Sequence, residues 1–166
     1  MKRFIFLLTL VLVSNYSFSQ ADSLQRQINE QVWKPFIKSF NNGDTEGFMA
    51  VHSKDVTRVE QDRKNIYGFD RYYLLTKQGK ERNTPPKWTS NLELRFTQRI
   101  AAGDRAFEVG YYKYTSVTLA NGQKNSGYGK FHVLLRKEKG TWKILIDADA
   151  SEKTDETIFL TGKPLE

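Results

Sequence analysis

The residues that could do chemistry cluster toward the end of the chain. Lys130-Phe131-His132-Val133-Leu134-Leu135 leads through Lys137-Glu138-Lys139-Gly140 into Thr141-Trp142-Lys143-Ile144-Leu145-Ile146-Asp147-Ala148-Asp149. With His52, Arg58 and Glu60 upstream, these side chains suit general acid–base chemistry or the polar anchoring of a ligand. A carboxylate or imidazole in a partly dry cavity has its pKa moved toward working pH. Glu60, His132 and Asp147 are the candidate catalytic groups, Glu60 or Asp147 as base and His132 as acid. His52, Arg58, Tyr111, Tyr128, Lys130, Leu145 and Asp149 are the candidate ligand contacts. Each ionisable group also has a structural reading as a salt bridge or cap, and His52 in particular suits a contact with a helix C-terminus.

Other chemistries lack their residues. The chain has no cysteine, which excludes thiol nucleophiles, disulfides and cysteine metal sites, and its two histidines have no metal-ligand spacing. No phosphate loop, nucleophile elbow or dinucleotide fingerprint is present, so no metal and no cofactor is expected. The net charge of +7 is dispersed, with signs interleaved in runs such as Lys137-Glu138-Lys139. That pattern describes a solvated surface rather than a nucleic-acid stripe.

The elements that must position these groups follow from periodicity. Lys2 and Arg3 before the apolar run from Phe4 to Val13, then the small polar segment ending at Ser19, form the pattern of a secretory signal peptide over residues 1–19. A retained anchor is the alternative. Residues 20–166 then make a single secreted or periplasmic domain, with no membrane segment after cleavage and a short tail from about 152. Leu24, Ile28, Val32, Phe36 and Phe40 recur every fourth residue and predict an amphipathic helix, with a kink or break at Pro35. Asp44 caps a second helix through His52, a small hairpin joins Val56–Glu60 to Asn65–Tyr67, and Phe69–Lys77 forms a third helix. The polar loop 79–87 reads as a connector or a lid.

From Trp88 onward the period becomes two, which predicts a four-stranded antiparallel meander and an α+β fold. A two-residue turn at Asn121-Gly122 and a four-residue turn at 137–140 would set the register. Phe131, Val133, Leu135, Trp142, Ile144 and Ile146 then share one face with Tyr112. The other carries Tyr111, Lys130, His132, Leu134, Leu145, Asp147 and Asp149. Three helices cover one face only, so a homodimer is expected, with the Trp142 face against the partner and the mixed face toward a cavity.

Phe36-Ile37-Lys38-Ser39-Phe40-Asn41-Asn42-Gly43-Asp44, followed by Phe48, His52, Asp55 and Gly68, resembles the opening of the nuclear transport factor 2-like superfamily. Gly140-Thr141-Trp142-Lys143-Ile144 resembles its closing hairpin, and the likeness is in particular to exported SnoaL-like domains of unknown function. The resemblance implies a cone of three N-terminal helices on a strongly curved antiparallel sheet. It implies a small, partly apolar ligand in the cone, with a lyase or isomerase, or a dimeric interaction module without a ligand, as alternatives. Alignment with the superfamily's ketosteroid isomerase brings the general-base aspartate near Glu60, the second aspartate near His132 and the oxyanion-hole tyrosine onto Phe36. Phe36 has no hydroxyl to donate, which disfavours steroid-type isomerisation.

Overall fold

The computed structural model describes residues 22–151 and 153–166; the signal-peptide expectation lies outside them. The first helix, α1, is a continuous rod: α-helical over 22–28, π-helical over Asn29–Trp33 and α-helical over Lys34–Asn42. The π turn replaces the break expected at Pro35. Residues spaced by four drift about 40° per step around an ideal α-helix, so the apolar stripe would rotate off the core. One wide turn, in which the Lys34 N–H reaches back to the Asn29 carbonyl, takes up the excess. Ile28 and Val32 are accordingly fully buried, and Pro35 falls in the first turn of the following segment, where its missing N–H costs little.

Gly43, at φ 61°, closes α1 with N–H bonds to Phe40 and Ser39 carbonyls. Asp44 then caps α2 (Thr45–Ala50) through a 3.0 Å bond from the Gly47 N–H. The helix stops two residues short of the expected His52, which instead opens β1 (His52–Glu60). β2 (Asn65–Tyr67) pairs back on β1 as the small hairpin foreseen, and α3 runs from Phe69 to Arg82, beyond the expected Lys77. The connector after α3 is organised by Asn83, whose side-chain oxygen accepts from the Lys87 and Trp88 N–H groups at 2.7 and 3.2 Å.

The meander is present as β3 (Trp88–Ala102), β4 (Arg105–Thr118), β5 (Lys124–Glu138) and β6 (Thr141–Ala150). Among the described residues the sheet has seven strands in the order β2-β1-β6-β5-β4-β3-β7 and is mixed, because β1 lies parallel to β6. Pairing β1 with the last meander strand curls the sheet, and the three helices fill its concave side. The sheet bends at a bulge in β3 between Phe96 and Gln98, opposite Gly110. A Cβ on Gly110 would overlap the Arg95 carbonyl oxygen and the Phe131 ring. Gly110→Ala is therefore expected to cost about 2 kcal/mol or more, read by urea unfolding; a variant as stable as the parent would show that the strand can flatten there.

Both hairpin turns differ from expectation. β4 and β5 pair out to Val117 with Lys124, two residues away from the predicted register, which leaves the faces unchanged. The β5–β6 turn is the two-residue Lys139-Gly140, both at positive φ, with Glu138 opposite Thr141. A bulge between Leu134 and Leu135 then adds Leu145 as an extra residue. Beyond it every β6 side chain changes face: Ile146 turns outward beside Leu134, and Asp147 turns inward beside Val133.

The expected roles of the two faces are thereby corrected. Trp142, Ile144 and Leu135 are fully buried under the helices and form core rather than subunit contact. The C-terminal segment, expected as a plain tail, forms α4 (Glu156–Leu160) and β7 (Lys163–Pro164). Phe159 of α4 packs on the Tyr128 ring and beneath the Arg95 guanidinium, so the chain covers part of its own outer sheet face before β7 joins β3. No helix among the described residues is long and apolar enough to cross a membrane.

Candidate functional site

Between α1 and the concave sheet lies a cavity of about 410 Å³. Its floor is aromatic and aliphatic: Trp33, Phe36, Phe40 and Phe48 from the first two helices, and Leu92, Leu94, Phe131 and Val133 from the sheet. The rings interlock, with Phe36 and Phe48 centroids 4.7 Å apart and Trp33 5.4 Å from Phe96. Polar groups gather on one wall, where Arg58, Tyr72, Asp147 and Asp149 meet, and toward the mouth at Tyr112, Tyr128 and Ser151.

The strands set this wall. Arg58 on β1 lies beside Asp147 on β6, and Glu60 lies beside Asp149. The two terminal nitrogens of Arg58 are engaged: Nη2 donates to Asp149 Oδ2 at 2.7 Å, and Nη1 to the carbonyls of Val59 and Asp147 at 3.1 and 3.2 Å. Asp147 is buried, accepts from the Tyr72 hydroxyl at 2.7 Å and stands 3.5 Å from His52 Nε2. His52 Nδ1 lies 2.9 Å from the Phe48 carbonyl, which can only accept, so Nδ1 carries a proton, and Nε2 faces the carboxylate. This is the helix C-terminal contact anticipated for His52.

The two aspartates are driven apart electrostatically. Burial alone would push the Asp147 carboxyl up, but the adjacent Arg58 charge, with His52 and Tyr72 aimed at it, holds it well below the usual carboxylate range. Asp149 is pushed up by burial, reinforced by Asp147 and Glu60 and only partly countered by Arg58. Burial, with Asp149 and Asp62 nearby, raises the Tyr112 hydroxyl to about 12, so it remains a donor.

Chains of known structure share this architecture. A nuclear transport factor 2-like superfamily protein from Salmonella enterica serovar Typhimurium superposes with a TM-score of 0.61 at 16% identity, over 81% of this chain and 96% of that one. A protein of the same type and unknown function from Pseudomonas putida gives 0.60 at 16% identity, covering 83% and 93%. The fold is that of the nuclear transport factor 2-like proteins. A ketosteroid isomerase-like protein from Erwinia carotovora atroseptica, at 0.60 and 17% identity, covers 76% of this chain and 95% of its own. No family model matches the sequence, and no curated protein matches it.

Within this nuclear transport factor 2-like cone the expected site residues separate into two groups. Arg58, Tyr128, Asp147 and Asp149 line the cavity, and His52 stands behind Asp147. Tyr111, Lys130 and His132 lie on the opposite sheet face, His132 exposed between Val109 and Ala148, and Leu145 is the half-exposed bulge residue. Glu60 is outside the lining and faces Asn65 at 3.3 Å and Arg63 at 3.6 Å. The acid–base set of Glu60, Asp147 and His132 is therefore not assembled, because the sheet separates His132 from the other two. Tyr72, Tyr112 and Ser151 were missed; Tyr72 sits 75 residues from its partner Asp147, and no local pattern signals such a pairing. Phe36 does line the cavity, so the wall offers no hydroxyl at that position. Among the described residues no group of three or more His, Asp or Glu is placed to hold a metal ion.

Proposed function

We propose that this chain is an exported, SnoaL-like ligand-binding domain that holds a small, largely apolar molecule in its cone. The observation that carries the reading is the cavity itself: about 410 Å³, aromatic-floored, with polar groups confined to one wall and the mouth. Pockets of this volume and composition suit small organic ligands, and a closed core would have left no such space. Export rests on the N-terminal pattern of residues 1–19. A homodimer would use the outer sheet face, where Ile100, Phe107, Leu134 and Ile146 form one cross-strand row and three of the four are exposed.

A lyase or isomerase activity is the second reading, favoured by the opposed shifts of Asp147 and Asp149. Asp149 is then the acid–base group and Asp147 the anchor that keeps Arg58 in place.

The binding reading is tested with N-phenyl-1-naphthylamine, an uncharged fluorophore that brightens in apolar surroundings. Saturable 1:1 enhancement in the micromolar range is expected, weakened about tenfold or more when Leu92→Trp and Leu94→Trp together fill the cavity. Absence of saturable binding, or equal binding to a filled variant with native circular dichroism, would overturn it.

A further inference from the structure

We propose that the ligand of this cavity carries an amine: an apolar body, aryl or alkyl, ending in an ammonium group held by Asp149. The inference rests on the ligand-binding reading and narrows it to a chemical class. Among the described residues three charged side chains line the cavity, Arg58, Asp147 and Asp149, so this wall carries one carboxylate more than it carries cations. Arg58 is not free to receive an anion. Its Nη1 and Nη2 are taken by backbone carbonyls and by Asp149, and its Nε is buried without access. A ligand carboxylate or phosphate would meet two aspartates before it found an open donor fork, and like charges at close range are repulsive.

Asp147 is equally committed, to Tyr72, His52 and Arg58, and its side chain is only 10% exposed. Asp149 is different: one oxygen takes Arg58 Nη2, but the side chain is 30% exposed and lines the cavity. The surroundings sharpen its preference for a cation. Glu60 and Asp147 add negative potential at Asp149, while Arg63, the cation beside Glu60, points to solvent. Lys113, over the Tyr128 ring, is paired with Glu156 at 3.0 Å. A chain of net charge +7 thus places an acidic spot at the one polar wall of an aromatic cavity. Tyr112 adds a ring face that attracts an ammonium.

The class is tested with three probes sharing one body: 2-(1-naphthyl)ethylamine, 2-(1-naphthyl)ethanol and 1-naphthaleneacetate, titrated against the protein by calorimetry at neutral pH. The amine is expected to bind about tenfold or more tighter than the carboxylate, with the alcohol between them. Asp149→Asn is expected to bring amine and alcohol within about threefold of each other and to improve the carboxylate. If the carboxylate binds as well as the amine, or if Asp149→Asn leaves the amine preference intact, the inference is wrong while the cavity remains a binding site. If none of the three binds and the uncharged fluorophore is also not bound, the binding reading fails with it. The wild-type ranking alone decides the matter should the variant fold poorly.

Discussion

Asp147→Ala is expected to lower the unfolding free energy by about 3–5 kcal/mol, because it strips Arg58, Tyr72 and His52 of the buried group they all face. Arg58 itself is only 8% exposed, so its charge cannot be handed to water. In a domain of this size the loss corresponds to a fall in Tm of about 10 °C or more. Removing both charges with Arg58→Met in the same chain is expected to cost less than the sum of the two single changes, since no orphaned ion is left. Urea unfolding of the four proteins checks this; strict additivity would mean that the pair is not coupled.

The pH dependence has a definite sign. Asp147 has its carboxyl held below the ordinary value, so its contribution is fully present above about pH 4 and is lost as pH falls through the depressed folded-state value. The gap between the wild type and Asp147→Asn should therefore narrow in acid. Asp149 is shifted the other way, so its charge opposes folding at neutral pH and its protonation in acid relieves that opposition. Asp149→Asn is accordingly expected to be at least as stable as the wild type at pH 7. One aspartate is kept by the fold, and its neighbour two residues on is kept in spite of it.

Glu108→Ala is expected to be comparably damaging, about 3–5 kcal/mol, at a second buried carboxylate that shares a cross-strand row with Asp147 across Val133. Glu108 is wholly buried and accepts from Trp33 Nε1 at 2.5 Å, from Arg99 at 3.2 Å and from Gln25. Arg99 in turn donates to Asn29 at 2.5 Å, tying β3 and β4 to the π turn of α1. Loss of the carboxylate leaves a guanidinium and an indole N–H without their acceptor, and Trp33 is part of the cavity floor. The near-ultraviolet dichroism of Trp33 should change with the stability, and ligand affinity should fall with both. Glu108→Gln, which keeps the shape and half of the accepting capacity, is expected to fall between. A stable Glu108→Ala with unaltered tryptophan signal would show that the cluster is not a tie between helix and sheet.

The π turn and the Glu108 cluster illustrate one limit of linear reading. Spacing of four from Leu24 to Phe40 announced a helix with one buried face, and the buried residues of α1 agree. That the same spacing exceeds an α-helical turn was also present in the numbers, yet its resolution depends on what the rod packs against. Trp33 and Asn29 must reach Glu108 and Arg99, residues about 70 positions away, and the wide turn aims them there. Local propensity contains no information about partners at that distance.

What the sequence determined by itself is the α+β class, the helices with their caps at Gly43 and Asp44, the meander from Trp88 and the chemical inventory: acids, tyrosines and arginine, without cysteine. These follow from periods of 3.6 and 2 and from the backbone needs of turns, which neighbouring residues satisfy. Only the tertiary structure decided which residues share the cavity. A single extra residue, Leu145, reverses the face of everything after it in β6, placing Asp147 and Asp149 inside and leaving His132 outside. Such a bulge is selected by the packing of β6 between β1 and β5. Strand alternation carries a side chain's face forward only until one residue is added, so the face of Asp147 is a property of the whole sheet.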